Sequence, residues 1–298
     1  MSVVAAAPPV AILSAILIVN ADDFGITEGT NQAIVDAYRN GIVTSTSLLA
    51  NGYAFDHAVA LARQFPGLGV GIHLTLTEGP SVASAEPELL GKDGMLPLSN
   101  QPLVRKLLWR GLPRAAIKRE FEAQIVKVLE AGIGPTHLDG HKYIHLLPGI
   151  TSIVAQLATR FSIPVVRVPH PLVDTVSRRD RLAGLAVLRG MAALAHYRIK
   201  RAGLRCSDRT LGFVDTGHLD RDALKRLLLP VRPGTTELLC HPAYPTPQLD
   251  ILRSRGYRWI AGYDFGAETA AVGDPAIRAM LESEGWSLRS FGTLAESV

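Results

Sequence analysis

Cysteine is almost absent: Cys206 and Cys240 are the only two in 298 residues. They form no CxxC pair and no disulfide framework, so a cystine-stapled scaffold is excluded and a reducing cytoplasm fits. Internal repeats, low-complexity tracts and clear linkers are also missing. One domain spanning 1–298 is the economical reading, with 1–14 as a flexible N-terminal extension. Aromatic side chains are missing where charge is densest. The stretch 178–209 carries Arg178, Arg179, Arg181, Arg189, Arg198, Lys200, Arg201, Arg205 and Arg209, yet Tyr197 is its only Phe, Trp or Tyr. That is too few for a nucleic-acid stacking platform. Such a run reads as a solvated helix face, with anionic lipid head groups as the lesser alternative. The apolar stretch 3–19 has no basic region before it and is broken by Pro8-Pro9, so a signal peptide is not expected. Nor is a membrane span, because polar residues begin at Asn20.

What is present suits a soluble globular protein with a sizeable core: 47% of residues are hydrophobic and 19% charged, with a formal net charge of +4. Strand-like runs are expected at 16–21, 44–50, 68–76, 136–139, 164–168, 235–240 and 287–291. Helical periodicity falls at 28–40, 54–65, 113–131, 148–160, 219–229 and 276–284. Residues 78–100 form a Gly/Pro-punctuated loop, long enough to be a lid or substrate wall. Strands alternating with helices predict an α/β fold built on a parallel sheet, open or closed.

The segment THLDGHKYIH (136–145) spaces His137, His141 and His145 as one helical face would. Gly140 lies inside that stripe and Pro148 just beyond it, so a strand giving way to a loop is expected instead. Other unusual polar residues share that address. Asp22 and Asp23 end the first strand, His73 comes near the end of another, and His241 follows TTELLC. Sites in parallel α/β folds form at the carboxyl ends of the strands.

The segments LIVNADDFG (17–25), NGIVTSTSLLANG (40–52), GIHLTLTEG (71–79), THLDGHKYIH (136–145) and LLCHPAY (238–244) resemble the YdjC family of carbohydrate deacetylases, which includes chitooligosaccharide deacetylases. DGHKYIHLLPGI resembles the HpnK branch, associated with hopanoid biosynthesis. The resemblance covers nearly the whole chain. It implies a TIM-like, distorted (β/α) barrel related to the polysaccharide deacetylases, and one divalent metal ion (Mg, Mn, Co or Zn) held by Asp23, His73 and His141. It also implies Asp22 as catalytic base and His241 facing the leaving group.

The chemistry of these residues agrees with that assignment. Amide hydrolysis needs a polarised carbonyl, an activated water and a proton for the departing amine. Asp plus two neutral imidazoles leaves an ion with residual positive charge and open positions. Adjacent carboxylates stay ionised together when a cation is near, and His241 as imidazolium would donate the proton. Competing readings remain for individual residues. Asp22 and Asp23 are alternatively helix caps, and His73 a satisfied core histidine. His137 is expected to hydrogen-bond Asp139 or backbone, and His145 to line the pocket. Asp139 orients a ligand imidazole or simply ends its strand. Cys240 belongs to the core, and His170 is placed to touch substrate.

Rival functions are a glycoside hydrolase with paired carboxylates, an iron oxygenase using His137, Asp139 and His241, and a non-catalytic sugar-binding module. The expected partners are an N-acetylated sugar or hopanoid-like glycolipid, peripheral contact with the inner membrane face, and a second copy of the chain in a homodimer. The apolar company of the basic run, Leu182, Leu185, Val187, Leu188, Met191 and Leu194, suggests the amphipathic surface that a lipid tail would need.

Overall fold

The computed structural model describes residues 15–83, 86–109, 111–170 and 182–296. The expected extension 1–14, and Arg178, Arg179 and Arg181 of the basic run, lie outside them. In chain order the first half runs β1 (Ala15–Phe24), α1 (Glu28–Asn40), β2 (Ser45–Leu48), α2 (Phe55–Gln64), β3 (Gly69–Leu74), α3 (Gln101–Trp109), α4 (Arg114–Glu130), β4 (Leu138–Gly140) and α5 (Ile150–Arg160). Then come α6 (Leu182–Arg201), β5 (Arg209–Leu211), α7 (Arg221–Leu228), β6 (Gly234–Cys240), α8 (Pro247–Ser254), α9 (Phe265–Val272), α10 (Pro275–Ser283), β7 (Trp286–Leu288) and α11 (Phe291–Glu296).

The strands pair in parallel in the order β4-β3-β2-β1-β6-β5, with β7 against the start of β1. β1 lies mid-sheet and is buried from Leu17 onward, as its unbroken apolar run requires. The two ends of the sheet are joined by the parallel bridges Leu138–Val166 and Val165–Arg205. Leu138 N–H donates to Val165 O and Val166 N–H to Arg205 O, both at 2.9 Å. The sheet therefore curls into a distorted (β/α) barrel closed by single bridges.

Two expected strands differ. Residues 164–168 form only those isolated bridges, because Pro164 and Pro169 bound the run and supply no ladder donors. The last strand stops at Leu288, and from Phe291 the chain is helical. Phe291 turns inward with Ile18 and Val165 to fill the barrel at the amino ends of its strands. The opposite, carboxyl end is where the polar residues gather.

Arg189, Arg198, Lys200 and Arg201 of the basic run lie on α6, and Arg209 starts β5. Leu188, Ala192, Ala195 and Ile199 face the core, while Val187, Leu194 and Tyr197 are exposed. Of the apolar residues expected to form one surface, Leu188 is in the core and Val187 and Leu194 are exposed, while the side chains of Leu182 and Leu185 lie outside those described. No described helix is long and apolar enough to cross a membrane.

Candidate active site

Asp22 continues the inward alternation of Ile18 and Asn20 along β1. A neighbouring residue should face the other way. The β1–β2 register shifts between Ala21 and Phe24, and Asp23 takes a left-handed φ of 67°. Aspartate tolerates that region better than most residues. The irregularity turns the second carboxylate to the same rim. Neither acid caps α1, since Thr27 does so, its side chain accepting from Thr30 N–H.

β3 delivers His73, and His141 follows β4 as the first residue of a 3-10 turn, His141–Leu146. Asp23 Oδ1 lies 3.0 Å from His141 Nδ1 and 3.6 Å from His73 Nε2. The two ring nitrogens are 3.3 Å apart. Asp22 Oδ2 is 3.9 Å from His73 Nε2 and 4.0 Å from His241 Nε2. These five residues line one cavity of about 100 Å³, walled further by Tyr143, Trp259 and Tyr263.

Behind them lies a layer of charge, of which sequence reasoning singled out only Asp139. Arg167 is 1% exposed. Its Nη1 and Nη2 donate to the two oxygens of Asp22 at 2.9 and 2.8 Å, Nη1 also reaches Asp139 Oδ2 at 2.8 Å, and Nε reaches Glu237. Asp139 Oδ1 holds His73 Nδ1 at 2.7 Å, which selects the orienting role over a mere strand end. Glu78 Oε2 holds His141 Nε2 at 2.8 Å. Glu268 accepts from the His241 backbone N–H, and its Oε1 lies 3.9 Å from His241 Nδ1.

Burial pushes the Asp23 carboxyl up, but the imidazoles of His141, His73 and His241 outweigh it and hold it well below the usual range. Burial lowers both His73 and His141. Asp139, Asp22 and Asp23 reverse this at His73, and Asp23 with Glu78 raises His141 to about 9. His241 is pushed down by burial, and Glu268 is pushed up to about 8 by its own burial. Burial thus favours the neutral form of His241, the form able to accept a proton before donating it.

Asp23, His73 and His141 bring three ligand-type atoms within 4.8 Å of one another. Asp23 Oδ1 is buried and has no hydrogen-bond partner, and two imidazole nitrogens face it. A divalent ion satisfies that arrangement of donors. Asp22, His73 and Asp139 form a second such group. There the Arg167 guanidinium already bonds both carboxylates, so the cation's place is filled.

His137 bonds Thr136 Oγ1 and Ser47 Oγ at 2.9 and 3.2 Å. It stays 3.9 Å from Asp139, so Ser47 bridges the two. Its ring packs on Phe291. His137, Asp139 and His241 form no ligand group among the described residues. His145 does not line the cavity: its Nε2 bonds Arg167 O at 2.9 Å beneath it. His170 bonds His196 at 2.8 Å, away from the cavity. Cys240 is fully buried, as expected of a core residue.

Residues 16–283 match the family model described as YdjC-like protein. The chain belongs to the YdjC family. It is 32% identical to the carbohydrate deacetylase of Geobacillus stearothermophilus over 277 residues, 92% of this chain and 96% of that one. It is 44% identical to the chitooligosaccharide deacetylase of Salmonella typhimurium over 151 residues, 49% of this chain and 56% of the other. A crystal structure from Enterococcus faecalis, described as a cellobiose-phosphate cleavage protein, superimposes with a TM-score of 0.74 at 24% identity, covering 94% of this chain and 99% of that one. That likeness concerns the fold. The YdjC segment contains the whole cavity, from Asp22 to Tyr263.

Proposed function

We propose that this YdjC protein is a carbohydrate N-deacetylase that hydrolyses the acetamido group of an N-acetylglucosamine-type sugar, with one divalent ion (Mg, Mn, Co or Zn) held by Asp23, His73 and His141. One observation carries the reading: the buried, hydrogen-bond-free Asp23 Oδ1 faces two imidazole nitrogens, with Asp22 and His241 beside them. The names of the relatives support it. The bound ion would polarise the amide carbonyl and make water acidic enough to attack.

The chain's own residues supply the proton transfers. Asp22 Oδ1 accepts from Asn20 and Arg167, whereas Oδ2 accepts from Arg167 alone. Oδ2 keeps a free lone pair, and it faces His73 and His241. Asp22 takes the proton from the attacking water and passes it to neutral His241 Nε2. His241 then gives it to the departing amine; the second proton of the water leaves as the acetic acid ionises and is taken up by the free amine or solvent, so acetate and the amine form in balance. Such general acid–base work is worth about 10²–10⁴-fold. Trp259 and Tyr263 offer apolar faces to a sugar ring at the mouth. Acetate release without reducing-sugar release or oxygen uptake is the expected assay result. Reducing ends without acetate would favour a glycosidase instead.

A glycolipid is the second reading of the substrate. On α6, exposed Val187, Leu194 and Tyr197 stand among exposed Arg189 and Arg201, a pairing that suits an anionic membrane surface. It predicts a higher kcat/KM on an N-acetylglucosaminyl lipid than on chitobiose, with liposome binding at low salt. Preference for the soluble sugar without liposome binding would refute it and leave the deacetylase reading standing.

A further inference from the structure

His73 and His141 differ in how the backbone holds them. His73 sits in β3, paired on both sides. His141 lies just past the end of β4, and the next two residues, Lys142 and Tyr143, have left-handed φ values of 52° and 55°. No strand ladder fixes it. Its ring must be held by side chains, and Glu78 is the side chain that reaches its outer nitrogen.

Glu78 is built for that contact. It is 6% exposed and has a φ of 63°. Its N–H donates to Pro97 O at 3.0 Å, and its carbonyl accepts from Asn51 Nδ2 at 2.8 Å. Its carboxylate meets three groups: His141 Nε2 at 2.8 Å, Trp259 Nε1 at 3.2 Å and Lys142 Nζ. The indole and the ammonium can only donate, so the side chain between them must be a pure acceptor. A carboxylate beside His141 Nε2 then requires a proton on that nitrogen, so that with an ion bound it is the Nδ1 lone pair that faces Asp23 and His73. A glutamine would set an NH2 group against one of these donors.

We infer that Glu78 is the positioning residue of His141: it fixes the Nε2–H tautomer, aims Nδ1 at the ion, and ties that ligand to Trp259 in the substrate wall. The inference rests on the ion-dependent reading above. Asp139 does the same for His73 from the opposite nitrogen, so each imidazole has one carboxylate behind it.

The test uses the full chain stripped of metal, titrated with Mn2+ without substrate, and long-range 1H–15N NMR of the Zn2+-loaded protein. The native chain is expected to show His141 protonated at Nε2. Glu78→Ala is expected to weaken Mn2+ binding by about 10–100-fold, and Glu78→Gln by less, because its carbonyl still accepts from Nε2–H. A wider mixture of His141 tautomers should accompany both losses. Glu86→Gln, a loop carboxylate paired with Arg119, should bind Mn2+ as the native chain does. A residue that merely latched the loop would lower the melting temperature and leave the tautomer unchanged, which overturns the inference. Mn2+ affinity within about twofold of native in Glu78→Gln, or a native proton on Nδ1, overturns it too, even if Glu78→Ala does not fold. A native chain that binds no Mn2+ would sink the ion-dependent reading itself.

Discussion

Replacing Arg167 by lysine keeps one positive charge and removes the fork. The guanidinium donates to both oxygens of Asp22 and also reaches Asp139 and Glu237, which are 5%, 0% and 0% exposed. An ammonium is a single point and cannot span three carboxylates on different strands. At least one would be left buried without a charged donor. Breaking a buried pair in this way costs about 3–5 kcal/mol. At about 2.1 cal/mol/K per residue over 298 residues, the melting temperature falls by roughly 5–8 °C. Asp22 also loses the two bonds that aim it, and a displacement near 1 Å costs about 10²-fold in rate. Calorimetry and acetate release measure the two effects. Adding Glu237→Gln should shrink the stability loss, since one of the stranded charges is gone. A melting temperature within about 2 °C of native, together with unchanged kcat, would refute the idea that Arg167 organises these acids.

Three further outcomes follow from the same geometry. His73→Ala and His141→Ala should each lose bound metal and activity while keeping the fold, and unchanged metal stoichiometry in both would remove them as ligands. Asp22→Asn should retain metal and lose most turnover, whereas Asp23→Asn should lose both; near-normal kcat in metal-loaded Asp22→Asn would show that Asp22 is not the base. Glu268, raised to about 8 by burial, keeps a proton in the native state that the unfolded chain releases above its ordinary range near 4.5. Its contribution to stability is complete below that range and is lost as pH rises toward 8, by about 1.4 kcal/mol per unit. Thermal unfolding of Glu268→Gln should lack this decline, and equal slopes for variant and native would contradict it.

Residues that announce themselves by position were readable in the sequence. Asp22, Asp23, His73 and His241 each end or nearly end an apolar run, and Gly140 with Pro148 ruled out a helical histidine stripe. Arg167 was hidden because it lies in PVVRVP, where flanking prolines leave only isolated bridges, and an arginine there reads as exposed. Its burial depends on three acids from distant strands. Glu78 stood in the quoted run GIHLTLTEG, but its reach to His141 crosses 63 residues and hangs on a left-handed turn that no periodicity reveals. His145 points beneath the cavity because the turn after His141 has two left-handed residues, which neither a helical nor a strand pattern encodes. The downward push on His241 comes from its burial, which composition alone does not give.

The most direct test is to titrate the metal-free chain with one divalent ion while following acetate release from an N-acetylated chitooligosaccharide. The account predicts activity that rises to a plateau at one ion per chain, with one free amine for each acetate and no new reducing ends. Full activity in the metal-free chain, or reducing ends appearing without acetate, would contradict it.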